Sequence, residues 1–143
     1  MDALLATLQR WDLHPVVDHF TVSLLIVGVL IDLVASLAPT RIWLRYTAIT
    51  LMVLGAIAAG GSYFTGDMEA DRVWKTMSPG AKAVFGRHAT LGFYFAIVFG
   101  VLAVWRILIQ VSGLVAGSRP IYLIAAVISA GVLIYIGSLG GQL

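Results

Sequence analysis

Apolar residues run through the chain in four long blocks, Val16–Leu37, Ile42–Phe64, Ala83–Val111 and Ile121–Leu139, interrupted by few polar positions. An α-helix rises about 1.5 Å per residue and a hydrocarbon core is about 30 Å thick, so roughly 20 such residues suffice to cross it. The blocks therefore predict four membrane-spanning helices. Two tight turns punctuate them: Ala38–Thr40, where Pro39 stops the first helix, and Gly117–Pro120, where Pro120 opens the fourth. A longer polar segment joins the second helix to the third and ends in Ser78-Pro79-Gly80, an N-cap followed by a proline at the first helical position. The expected helices cover about 16–37, 42–64, 80–111 and 120–139. Short interfacial helices are expected over about 2–11, where Leu4, Leu5, Leu8 and Trp11 share a face, and over about 70–77.

The expected fold is an all-α, integral membrane, up-down-up-down four-helix bundle forming one domain over residues 1–143. Trp11, Trp43, Trp74 and Trp105 alternate between the two ends, as aromatic belts require. Composition agrees: 60% of residues are hydrophobic, 11% are charged and the mean hydropathy is +0.98. That excludes a water-soluble domain, and no nucleic-acid partner is expected; the lipid bilayer is the first partner. The absence of cysteine excludes thiolate-held iron–sulfur clusters, covalently attached c-type haem and disulfides. The end with the two short turns carries Arg41, Arg45, Arg106 and Arg119 densely, whereas Arg10, Arg72, Lys75, Lys82 and Arg87 are spread over longer segments among acids. This density puts the short turns in the cytoplasm and both termini outside a bacterial inner membrane.

Candidate chemistry centres on the three histidines. With His14 as the last residue before the first helix and Pro15 in its first turn, His19 lies one turn in; His88 lies early in the third helix. His19 and His88 come to similar depth, and in an up-down bundle the first and third helices face each other diagonally. Two imidazoles so disposed match the axial ligands of haem b, a carrier of electrons rather than a catalyst. Gly60, Gly61, Gly92, Gly137, Gly140 and Gly141 leave room at that depth, and Arg87, with Arg10 and Lys82, suits haem propionates. Against this stand close packing for the glycines and interfacial anchoring for the cations. The alternative uses His14, His19 and His88 together to hold copper, zinc or iron, with Met68 or Met77 as soft ligands. Asp67, Glu69 and Asp71 form a solvated acidic edge. Asp32, an intramembrane carboxylate in the short-turn half of the first helix, is expected to pair with Arg45 or Arg106, or to serve a proton or a quinone headgroup.

Two segments, each reading as histidine, long helix, basic turn, second helix and double glycine, suggest two related hairpins, with His19 matched to His88 and Gly60-Gly61 to Gly140-Gly141. The element His14-Pro15-x-x-x-His19-Phe20, followed by Asp32, Thr65-Gly66 and His88, resembles the bacterial membrane family called domain of unknown function 2231 (DUF2231). Thr21 stands where that family usually has proline. The resemblance covers nearly the whole chain and implies a four-helix membrane domain, fused in some relatives to Rieske or cytochrome c modules and so associated with redox work. Three function classes stay open: a b-type cytochrome passing electrons between quinol and a periplasmic redox protein; a transition-metal site; and a cofactor-free structural or assembly subunit, as an oligomer or within a redox complex.

Overall fold

The computed structural model describes residues 13–113 and 115–141. Four helices make up most of them: α1 (Leu13–Leu37), α2 (Ile42–Val73), α3 (Pro79–Val111) and α4 (Arg119–Gly140), with a 3₁₀ turn, Ala116–Ser118, leading into α4. Each is long and apolar enough to cross a membrane. The expected surface helix over 2–11, with Arg10 and Trp11, lies outside the described residues.

The helix starts follow their sequence signals. Ser78 caps α3, its hydroxyl accepting from the Ala81 amide at 3.2 Å, and Pro79 is the first helical residue. Pro120 occupies the first turn of α4, where its missing N–H has no intrahelical partner to lose. The expected end of the second helix at 64 and the separate helix over 70–77 need correction, because α2 continues unbroken to Val73. No proline intervenes before Pro79, and Glu69 and Arg72 form an i,i+3 ion pair at 2.8 Å that suits continued helix.

Each helix packs on its neighbours in chain order and α1 closes the ring against α4, so α1 and α3 are diagonal, as are α2 and α4. On α1 the buried positions Thr21, Leu25, Gly28, Val29, Asp32 and Ala35 form one stripe at three- and four-residue spacing. Leu25, Met52, Phe99, Leu102 and Tyr122 fill the centre. The opposite faces expose Phe20, Leu30, Ile57, Val101 and Ile124, which suits lipid contact. The α1–α2 pair approaches closely at Gly28 and Gly55: a Cβ at Gly55 would stand 2.5 Å from Leu25 Cδ2, and one at Gly28 would stand 3.2 Å from Leu51 Cβ.

The hairpin α3–α4 repeats α1–α2 with a shift of 74 residues. Leu25 and Phe99, Asp32 and Arg106, Ala48 and Tyr122, and Met52 and Ala126 are each 74 apart and all buried. Few of the matched residues are identical, so the repeat lies in the pattern of burial. Its register differs from the expected one: His14, not His19, matches His88, and Gly66, not Gly60 or Gly61, matches Gly140.

Candidate functional site

At the end of the bundle that carries the α2–α3 connection, α1 and α3 each turn one histidine inwards. His14 is half-buried and His88 is 8% exposed. Their ring centroids are 6.1 Å apart and their planes meet at 73°. Each ring is oriented by the second helix of its own hairpin. Thr65 donates its hydroxyl proton to the Ser62 carbonyl (3.1 Å), so at 3.2 Å its oxygen accepts from His14 Nδ1. His88 Nδ1 donates to the Ile136 carbonyl at 3.1 Å. These partners engage Nδ1 of both rings, which leaves each Nε2 without a protein hydrogen bond of its own among those described and free to face a ligand.

Glycines complete the support. A Cβ at Gly66 would approach His14 Cε1 to 3.0 Å, and one at Gly140 would approach His88 Cε1 to 3.1 Å. In each hairpin the glycine follows its histidine by 52 residues, so one local solution is used twice. The rings border a cavity of about 330 Å³, a volume on the scale of small-ligand pockets. The partly exposed Tyr63 of α2 and Phe93 of α3, whose rings lie 5.3 Å apart, also line it. Asp18, one turn after His14, also lines it and accepts from the buried Ser62 hydroxyl at 2.8 Å.

The other expected site residues are distributed differently. His19 does not meet His88: its side chain is exposed and its Nδ1 donates to the Pro15 carbonyl at 2.6 Å. Five residues turn a helix by about 500°, so His14 and His19 cannot share a face once both lie in α1. Gly92 lines the cavity, whereas Gly61 looks towards Val17, 3.8 Å from the position of its absent Cβ. Arg87 is exposed and stacks over Tyr135 at 5.7 Å; Lys82 lies over Trp74 at 5.4 Å. Met68 is exposed, and no group of three or more histidine, aspartate or glutamate side chains converges among the described residues.

A second polar cluster sits at the opposite end, beside the short turns. Asp32 receives Arg106 Nε at 2.6 Å, with side-chain exposures of 2% and 1%, and Arg119 Nη2 at 3.4 Å. Arg119 Nη2 also donates to the Ser36 hydroxyl at 3.2 Å. The expected pairing of Asp32 with Arg106 is present, and Arg119 joins it; Arg45 instead donates to the Pro39 carbonyl at 2.8 Å.

Asp18, Ser62, Thr65 and Arg119 were not expected at these sites from sequence. The signals that could have found them are the i,i+4 pair His14/Asp18, the run Ser62-x-x-Thr65-Gly66 and the 74-residue match of Arg45 to Arg119.

Fold and site together define a multi-pass four-helix membrane protein with two inward-facing imidazoles at one end and a buried ion pair at the other. Over residues 10–143 the chain matches the family described as predicted membrane protein (DUF2231), and it belongs to that family. Neither a curated protein nor a solved structure matches it at a significant level.

Proposed function

We propose that this protein is a membrane electron carrier holding one haem b between His14 and His88. The observation that carries this reading is the imidazole pair itself. With metal–nitrogen bonds of about 2.0 Å and about 1.1 Å from each nitrogen to its ring centre, two imidazoles holding one ion between them would have centroids up to about 6 Å apart. The separation of 6.1 Å fits that requirement. The donor set also discriminates. A bare zinc ion calls for three or four protein ligands, and no three histidine or carboxylate side chains converge among the described residues, whereas a haem iron would need only two.

Such a group, held by the two histidines, would supply a one-electron couple, which suits electron transfer. His14 and His88 would hold the iron, with Thr65 and the Ile136 carbonyl fixing their ring orientation and tautomer. Gly66 and Gly140 keep the space in which the rings stand, and Gly92 adds room on the cavity wall. Asp18 is the carboxylate beside His14 and would oppose loss of positive charge at the site. The Arg-dense short turns favour a cytoplasmic position for the other end, which sets the histidines near the outer face of a bacterial inner membrane. A quinol in the bilayer and a periplasmic redox protein are then the natural donor and acceptor.

The test is an absorption spectrum of the detergent-purified protein, oxidised and dithionite-reduced, for wild type, His14→Ala, His88→Ala and His19→Ala. A Soret band with sharp reduced α and β bands is expected in wild type and His19→Ala and not in the other two. A folded, colourless wild type from haem-replete cells would overturn the proposal.

A further inference from the structure

The cluster around Asp32 is out of electrical balance. Arg41, Arg45, Arg106 and Arg119 all lie at this end, and Asp32 is the only acid there, because the sequence has no Asp or Glu from 33 to 66 or after Asp71. Asp32 is already shared by Arg106 and Arg119, and Arg45 lies within electrostatic reach of Arg119. Among the described residues, four buried donors here have no hydrogen-bond partner: Arg106 Nη2, Arg119 Nε, Arg45 Nε and the Tyr122 hydroxyl. Arg106 is 1% exposed and Tyr122 is fully buried, while Arg119 keeps 22% of its side chain exposed at the rim. Uncompensated guanidinium in a low-dielectric surround is costly, and unmet donors add to that cost.

The depth of the cluster identifies what could balance it. It adjoins the turns at Pro39–Thr40 and Ala116–Ser118, with Trp43 exposed beside one and Trp105 donating to Ser118 Oγ at 2.8 Å beside the other. Tryptophan marks the headgroup level of a bilayer, where phosphate groups are abundant and arginine binds them through its planar fork. We infer that Arg106, Arg119 and Tyr122, flanked by Arg45, form a binding site for a phosphate group at this face. The phosphate of an anionic lipid headgroup reaches it from the bilayer, and free inorganic phosphate has the same chemistry.

The test uses the full chain. Protein reconstituted in phosphatidylcholine vesicles containing a minor fraction of phosphatidylglycerol is extracted in mild detergent, and retained lipid is counted by native mass spectrometry. In parallel, melting of lipid-free protein is followed with inorganic phosphate or with chloride at equal ionic strength. Wild type is expected to retain phosphatidylglycerol well above its share of the bilayer, and Arg119→Gln to lower that retention about tenfold, as loss of a charge-assisted hydrogen bond implies. Tyr122→Phe, which removes a hydroxyl lying beside the Asp32 carboxylate, is expected to lower retention by a larger factor than any change it makes to melting in lipid-free detergent. Arg41→Gln, an exposed arginine on the same turn, is the control and should retain lipid as wild type does. Stabilisation by inorganic phosphate without lipid enrichment would identify free phosphate as the ligand. Retention unchanged in both Arg119→Gln and Tyr122→Phe, or no response to either ligand, would overturn the proposal.

Discussion

Neutralising Asp32 tests how the bundle tolerates charge at its centre. The Asp32–Arg106 contact is 2.6 Å long with both side chains almost fully buried. At a charge separation of about 4 Å and an effective dielectric of about 20, the pair attracts by about 4 kcal/mol. Asp32→Asn keeps the volume and one acceptor for Arg106 Nε but strands the guanidinium, and breaking a buried pair in this way costs about 3–5 kcal/mol. The Arg119 contact is longer, at 3.4 Å, and more exposed, so its loss adds under about 1 kcal/mol. Arg106→Met removes the shorter of the carboxylate's two contacts, leaving it only Arg119 at 3.4 Å, and should cost a similar amount. The double variant Asp32→Asn, Arg106→Met removes both charges and is expected to lose only about 1–2 kcal/mol, far less than the two single losses together, leaving a coupling of about 4–9 kcal/mol. Unfolding of the four proteins by sodium dodecyl sulfate in mixed micelles, followed by circular dichroism, measures that coupling. A value below about 0.5 kcal/mol would mean that the pair is solvated and that the argument from burial fails.

Gly55→Ala forces a Cβ to within 2.5 Å of buried Leu25 and is expected to cost about 1–3 kcal/mol, whereas Gly60→Ala meets nothing within 4 Å and should change stability by under about 0.5 kcal/mol in the same unfolding titration. Gly66→Ala and Gly140→Ala press on His14 and His88, so under the proposed function both should weaken haem retention several-fold, read as Soret absorbance per folded protein, without unfolding the bundle. Trp105→Phe loses the bond to Ser118 and should destabilise by about 1 kcal/mol, measured by thermal melting.

The four spans, the Ser78-Pro79 start of α3 and the Pro120 start of α4 were legible because each rests on local chemistry: apolar length, a capping hydroxyl, an imino acid with no N–H to lose. The end of α2 was not, because polar residues after Phe64 read as loop although nothing among them breaks a helix. The choice between His14 and His19 depended on helix phase. Counting back from Asp32 in steps of three and four, through Val29 or Gly28, Leu25, Thr21 and Asp18, arrives at His14 and misses His19. The inward stripe thus carried the answer, but only once Asp32 was known to face the core. Gly28 and Gly55 gave no separate signal, because the tight α1–α2 approach depends on which faces meet. Arg119 was hidden for the same reason: it reaches Asp32 from a helix that adjoins α1 only when the ring closes.

The 74-residue repeat explains why the two polar ends differ in kind. Residues related by that shift occupy equivalent places in the two hairpins, so they face each other across the bundle. At one end the equivalent residues are alike, His14 and His88, and present two identical imidazoles to each other, the pair that would hold the proposed haem. At the other end they are opposite, Asp32 and Arg106, and form the buried ion pair. Two copies of one hairpin could build the first arrangement but not the second, since a symmetric pair would set carboxylate against carboxylate or guanidinium against guanidinium in a low dielectric. Carrying both hairpins on one chain lets the histidine end stay symmetric while the opposite end is charged asymmetrically. The ion pair then favours each hairpin meeting its unlike partner, and that pairing holds His14 and His88 across from one another.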